Sequence, residues 1–145
     1  MSRSRGGFGT KAVVACDANG LALAFELLHG QTSELKAAPL LLARVRGQVR
    51  SNGPIGRVAC DRAYSAAAWR RMVEEVGAEP CVPATRSHPL AHYDRATYRR
   101  RHKVENLWAK LKDVRAVAFR FAKTAASFTG ALHLTAALDW LSNRL

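Results

Sequence analysis

The chain has 145 residues, 48% hydrophobic and 23% charged, which suits one domain around one modest core. Its 23 Lys and Arg against 11 Asp and Glu leave a formal charge of +12. That balance excludes an acidic disordered tail, weighs against a neutral metabolic enzyme and favours a polyanionic partner, most simply nucleic acid. Three cysteines without a Cys-x2-Cys pair exclude a closed disulfide framework and suit a reduced intracellular setting. No apolar stretch reaches the roughly 18–20 residues that span a bilayer. The basic, Gly-rich start also lacks the apolar core and cleavage site of an export signal. A soluble, cytoplasmic protein with no membrane association is the expectation.

Residues 1–10 read as a flexible basic arm carrying Arg3 and Arg5, and 11–145 as the folded part. Residues 11–28 predict a β-hairpin. Val13 to Cys16 lead into Asp17-Ala18-Asn19-Gly20, beyond which Leu21, Leu23, Phe25 and Leu27 alternate with smaller or polar residues. Asn-Gly tolerates positive φ and is the strongest short hairpin signal. Thr32 or Ser33 can cap a helix to about Val45, with Glu34 in its first turn. After a Ser51-Asn52-Gly53-Pro54 loop, Ile55 to Cys60 reads as a short strand ending at Asp61.

A helix from about Ser65 to Val76 closes on Gly77. Glu79 to Val82 is a short strand that Pro80 weakens or delays. The chain is loop from Pro83 to Asp94, and long helices follow from about Thr97 to Ala116 and from about Ala125 to Leu141. Four strands alternating with helices predict an α/β mixed sheet with helices on its faces. Cys16, Cys60 and Cys81 fall on predicted strands as small packing residues, without zinc-ligand spacing. His29, His88, His92 and His133 form no cluster, and Phe128, Leu132, Ala136 and Trp140 make a core stripe.

Residues 86–123 hold eleven Lys or Arg against three acids, so +8 of the +12 lies in about a quarter of the chain. At about 100° per residue, Tyr98, Arg101, Glu105, Trp108 and Lys112 share an arc of about 80°. Val104, Leu107, Leu111 and Val114 share another, which faces the core. Two readings of the polar stripe stand side by side. Arg101 and Glu105 are i,i+4, an ordinary surface ion pair worth about 0.2–0.5 kcal/mol. Alternatively, a carboxylate held in a basic groove can bind a divalent cation while the cations take phosphates. Asp61 is the candidate second carboxylate: it follows the apolar run Val58-Ala59-Cys60, at the strand end where α/β sheets bind ligands. It reads equally as a loop acid at the entry to the next helix.

Tyr98, Arg101, Glu105 and Lys112 reproduce the Tyr-x2-Arg-x3-Glu-x6-Lys signature of bacterial insertion-sequence DDE transposases. Val58-Ala59-Cys60-Asp61-Arg62-Ala63-Tyr64 resembles the segment carrying that family's second catalytic Asp. The opening residues 2–11, the Asp17–Gly20 turn and the end from Lys123 to Leu141 also resemble that group. The resemblance implies a ribonuclease-H-like fold of the retroviral-integrase type, a mixed sheet flanked by helices. It implies three carboxylates holding two Mg²⁺ for phosphodiester hydrolysis and strand transfer at transposon ends. Asp61 and Glu105 then stand as the second and third acidic metal ligands, facing each other within metal-bridging distance. Tyr98, Arg101 and Lys112 become contacts to transposon-end DNA. Arg99, Arg100, Lys103 and Lys110 join them as phosphate contacts from charge alone.

Two departures are small: Ala63 stands where the family usually has Gly, and Ser65 where it often has Asp. The larger one is the first catalytic Asp, which belongs on a strand before the hairpin. Asp17 opens a turn and has a local backbone role, and Asp94, Asp113 and Asp139 lack a suitable strand. Residues 11–145 therefore read as a partial catalytic domain lacking its central first strand, which leaves hydrogen-bonding edges open. A second reading frame or a truncated remnant would each produce such a chain, inactive alone in strand transfer. Its partners would be DNA and either the product of an upstream frame or a second copy, in a bacterial, nucleoid-associated setting. The alternative is an inactive product that binds DNA and regulates or inhibits transposition.

Overall fold

The hairpin forms where the Asn-Gly signal puts it. In the computed structural model, which describes residues 9–49, 53–86, 89, 92–119 and 121–143, Thr10–Cys16 (β1) and Ala22–His29 (β2) pair antiparallel. Residues 1–8 of the expected arm lie outside the described residues, as does His88. Asp17 builds the turn: its Oδ1 accepts from the N–H groups of Asn19 and Leu21, both at 2.8 Å. Gly20 takes a φ of 87°, a conformation that a side chain would strain.

Ser33 caps a single 3-10 turn, Glu34–Lys36, and not the long helix itself. Helix α1 begins later, at Ala38, and runs to Val49. Pro39 explains the late start, because a residue without an N–H is tolerated in a first helical turn and not further in. Arg57–Ala59 (β3) and Glu79–Cys81 (β4) then pair in parallel around helix α2, Ala67–Glu75. Pro80 is accommodated within β4 because that strand has one ladder partner among the described residues.

The helix expected over Thr97–Ala116 is three helices: α3 (Arg95–Arg99), α4 (His102–Asp113) and α5 (Arg115–Ala118). The N–H groups of Arg101, Lys103 and Val104 turn to carbonyls three residues back, tightening the chain between α3 and α4. The break falls in the run Arg99-Arg100-Arg101-His102-Lys103, where a continuous helix would stack Arg99 on Lys103 as a like-charge i,i+4 pair. Val114 is extended, with ψ 114°, and separates α4 from α5. Helix α6, Ala125–Ser142, starts on Thr124, whose Oγ1 accepts from the Ser127 N–H at 3.1 Å. Among the described residues no helix is long and apolar enough to cross a membrane.

The four strands form two separate two-stranded ladders among the described residues, where the sequence suggested one mixed sheet. The hairpin uses both faces. Ala12, Val14 and Cys16 join Phe25, Leu107, Leu111, Val117, Phe128, Leu132 and Ala136 in a core under α4, α5 and α6. Val13 and Ala15 turn the other way, towards Leu41 and Val45 of α1. The next residues of α1, Ala38 and Leu42, pack on Trp69, Val73 and Val82, so α1 bridges the hairpin and the β3–β4 unit. Ile55 packs against both clusters. Trp140 pins α6 to β2 by donating from Nε1 to the Ala22 carbonyl at 2.7 Å. Trp108 leaves the expected polar stripe: it is half-buried in the core, edge-on to Phe25 at 6.4 Å. Val114, expected in the core, is 40% exposed because it lies at the helix break.

One polar cluster ties the two-stranded parallel unit to α3. The Arg57 guanidinium donates to Glu79 Oε2 at 2.8 Å and to Asp94 Oδ2 at 2.7 Å. Asp94 caps α3 with its other oxygen, which accepts from the Ala96 N–H at 2.8 Å. Thr97 Oγ1 donates to Asp94 Oδ2 at 2.8 Å and accepts from Arg57 at 3.2 Å. The Thr97 hydroxyl, followed by the Ala96 N–H, holds the Asp94 carboxyl below its ordinary 3.8.

Leu111 is fully buried, and Leu111→Ala should cost about 2–5 kcal/mol in urea unfolding with an unchanged slope. A lowered carboxyl pKa contributes stability that is complete above the ordinary value and lost as pH falls through the folded one. Wild type should therefore exceed Asp94→Asn in urea stability near neutral pH, and the gap should shrink at about pH 3. Arg57→Ala should speed amide hydrogen exchange in α3 while the β1–β2 amides keep their protection.

Candidate functional site

Helices α3 and α4 lie across both ladders, α3 against β3 and α4 against β1. The break between them falls inside the Tyr98–Lys112 segment and sets the geometry of its first half. The Tyr98 ring meets Tyr93 edge-on at 5.5 Å. The Arg101 guanidinium stands 6.0 Å from the Tyr98 ring centroid, at the outer reach of a cation–π contact. Arg101 Nη2 also donates to Glu105 Oε1 at 2.8 Å. Tyr98, Arg101 and Glu105 thus form one row, aromatic to cation to carboxylate. Glu105 is 60% exposed at the side chain, and its Oε2 has no partner among the described residues.

The other cations of this segment divide by occupation. Lys103 reaches back to the hairpin turn and donates from Nζ to the Ala18 carbonyl at 2.6 Å. Lys110 pairs with Asp139 of α6 at 3.4 Å. Both side chains thereby stitch α4 to its neighbours. Arg99, Arg100 and Lys112 are exposed, and among the described residues their charged groups have no hydrogen bond or ion pair. His102 sits behind Arg99, donating from Nδ1 to its carbonyl at 2.7 Å.

Asp61 stands just beyond the parallel pair. The Cys60 N–H donates to the Cys81 carbonyl at 3.2 Å, continuing the ladder by one step, and Asp61 follows at its carboxyl end. Asp61 Oδ1 accepts from the Ala63 N–H at 2.8 Å and caps the 3-10 turn Arg62–Tyr64. The loop-acid role and the strand-end position are both realised, and Oδ2 has no partner among the described residues. Burial pushes the neighbouring Tyr64 hydroxyl up to about 12, so it faces this corner as a neutral group. Burial likewise pushes the Cys60 thiol up to about 12, which suits packing and not nucleophilic chemistry.

Asp61 and Glu105 share no partner among the described residues, and no three His, Cys, Asp or Glu side chains are grouped there for a metal. Each carboxylate offers one hard oxygen of the kind that Mg²⁺ accepts. Asp17, by contrast, commits one oxygen to the two N–H groups of its turn, and its other oxygen meets the Asn19 amide at 3.5 Å.

The Arg57 cluster is the part of the site that sequence reasoning missed. Its one local signal is Asp94-x2-Thr97, a capping pattern ahead of a helix. The meeting of Arg57 with Asp94 joins residues far apart in the chain and is visible only in the fold.

The match to known proteins covers the same residues. The family model for the transposase DDE domain matches residues 58–142, more than half of the chain, with Asp61, Tyr98, Arg101, Glu105 and Lys112 inside it. A putative transposase for insertion sequence element IS6501 from Brucella ovis is 33% identical over 135 residues, covering 91% of this chain and 98% of that protein. No solved structure matches the chain. With its signature residues, its basic helix and these two matches, the chain belongs to the insertion-sequence DDE transposases, a family of polynucleotidyl-transfer enzymes that act on DNA.

Proposed function

We propose that this chain supplies the second Asp and the Glu of a transposase that acts on transposon ends by Mg²⁺-dependent hydrolysis and strand transfer. The observation that carries the reading is the Tyr98–Arg101–Glu105 row, a carboxylate held by a guanidinium on a basic surface. Asp61 and Glu105 would hold Mg²⁺, each through the oxygen that has no partner among the described residues. Two such ions would supply activation of the attacking oxygen and stabilisation of the leaving one. Arg99, Arg100 and Lys112 take phosphates through charged groups that have no hydrogen bond or ion pair among the described residues. Lys103 and Lys110 reach phosphate only by releasing Ala18 and Asp139. Tyr98 and Arg101 orient the DNA end. A phosphate on Arg101 competes with Glu105 for the same guanidinium and so frees Glu105 Oε1.

A ribonuclease-H-like arrangement accommodates these parts. An antiparallel hairpin precedes a parallel β3–α2–β4 unit, and one strand between β1 and β3 would join the two ladders. In this reading that strand carries the first Asp and comes from an upstream segment or the product of an upstream frame. Residues 11–145 then act as a partial catalytic domain. A second reading is a non-catalytic DNA-binding regulator, in which the exposed cations of α3 and α4 bind DNA without any metal chemistry.

Mobility-shift and nicking assays on end DNA with Mg²⁺ separate the two. The 145-residue chain should bind ends without nicking them, and addition of the upstream-frame polypeptide should restore nicking that Asp61→Asn or Glu105→Gln abolishes. Retained binding with no restored nicking would establish the regulator. Lys112→Ala should weaken end binding and lower the slope of log affinity against log salt by about one, with Mg²⁺ affinity unchanged.

A further inference from the structure

We propose that Phe119 and Phe121 form a stacking platform for unpaired nucleobases, a DNA contact distinct from the Tyr98–Arg101–Glu105 row. The two rings are 66% and 63% exposed. They lie 6.0 Å apart, with planes 19° from parallel. Neither belongs to any of the three apolar cores. Phenylalanine has no polar edge to satisfy in water, so two neighbouring rings left in solvent mark a surface built for contact.

The backbone that carries them is anchored on both sides. Val117 is buried beneath α6 and Ala122 packs against the same core. The Phe119 N–H donates to the Arg115 carbonyl at 2.9 Å, and Thr124 caps α6 directly after. Each ring therefore stands within two residues of a core-packed anchor, Val117 or Ala122, and ordering it costs little when a ligand arrives.

Charge selects the partner. The Arg115 guanidinium stands 5.8 Å from the Phe119 ring centroid. Residues 114–124 carry Arg115, Arg120 and Lys123 and no acid. A second copy of this +12 chain would bring like charge to the corner. A nucleic-acid strand brings phosphates for the cations and flat bases for the rings, the two elements of single-strand recognition. Duplex bases are already stacked on each other and offer no free face, so the ligand is single-stranded or locally unpaired DNA. Only the choice of polymer rests on the transposase reading; the platform itself rests on the rings and their cations.

Anisotropy of fluorescent oligothymidylate and of an equally long duplex, titrated with the full chain at one salt concentration, tests this. Phe119→Ala and Phe121→Ala should each weaken single-strand binding by about tenfold, the order of loss when one stacking ring is removed. Duplex affinity should stay within about twofold, because phosphate contacts dominate it. Phe121→Trp should keep single-strand affinity, and its thermal melting, like that of the alanine variants, should match wild type. Equal losses on both DNAs, or no loss on either, would overturn the platform. So would alanine variants that turn a dimer into a monomer in sedimentation, since the rings would then be a protein contact. A wild-type chain that binds duplex ends but no single strand overturns the platform alone, and one that binds neither overturns the transposase reading as well.

Discussion

Side chains tie the β1–β2 hairpin to the β3–β4 unit, between which no backbone ladder runs among the described residues. Asp61 ends the parallel β3–β4 unit, while Glu105 rides on α4, which packs on the hairpin. Among the described residues β1 and β3 share no ladder, so the relative position of the two carboxylates depends on what spans the units. Apolar contact does part of this: successive residues Leu41 and Leu42 of α1 face different clusters, and Ile55 reaches both. Such contacts are non-directional and tolerate sliding. The Arg57–Asp94 pair is different. A short charge-assisted hydrogen bond fixes direction as well as distance, and it joins the strand leading to Asp61 to the cap of the helix leading to Glu105.

The cations divide by task, and this limits what net charge alone conveys. Arg57 clamps Glu79 and Asp94, Arg44 pairs with Glu26, Arg70 donates to the Val82 carbonyl, and Lys110 holds Asp139. These groups serve the fold first. Among the described residues the exposed Arg99, Arg100 and Lys112 have no such internal partner. A count of +12 therefore does not by itself say how many charges are free of internal partners.

What could be read from the sequence was local. The hairpin followed from Asp17-Ala18-Asn19-Gly20, because the Asp17 carboxylate and the positive φ of Gly20 define that turn through local contacts. The strands near β3 and β4 followed from short apolar runs, and α6 from its stripe of Phe128, Leu132, Ala136 and Trp140. The long basic helix was misjudged because apolar spacing continues through Val104, Leu107 and Leu111, while the break depends on charge crowding and on where α3 is tied. Trp108 was misplaced for a related reason: an arc of about 80° on a helix does not say which edge a neighbouring strand will cover, and Phe25 covers that one. The motif spacing singled out Tyr98, Arg101 and Glu105. That Arg101 touches both of its neighbours, that Lys103 is spent on Ala18, and that Arg57 meets Asp94 all needed the fold.

The Arg101–Glu105 pair gives the site a coupling that neither residue has alone. In the free chain each neutralises the other at 2.8 Å, so a phosphate or a metal ion arriving at either partner competes with the charge of the pair. On an exposed surface such a pair holds the row in place at small cost, since its net worth is of order 1 kcal/mol or less. Under the proposed roles, a phosphate on Arg101 weakens its hold on Glu105, and a metal ion on Glu105 Oε2 weakens that carboxylate's hold on Arg101. Each ligand then weakens the competitor of the other. Linkage makes that assistance mutual and equal in free energy. Under those roles, the same surface pair that an isolated helix would use for a few tenths of a kilocalorie would, beside a DNA strand, make metal and DNA binding interdependent.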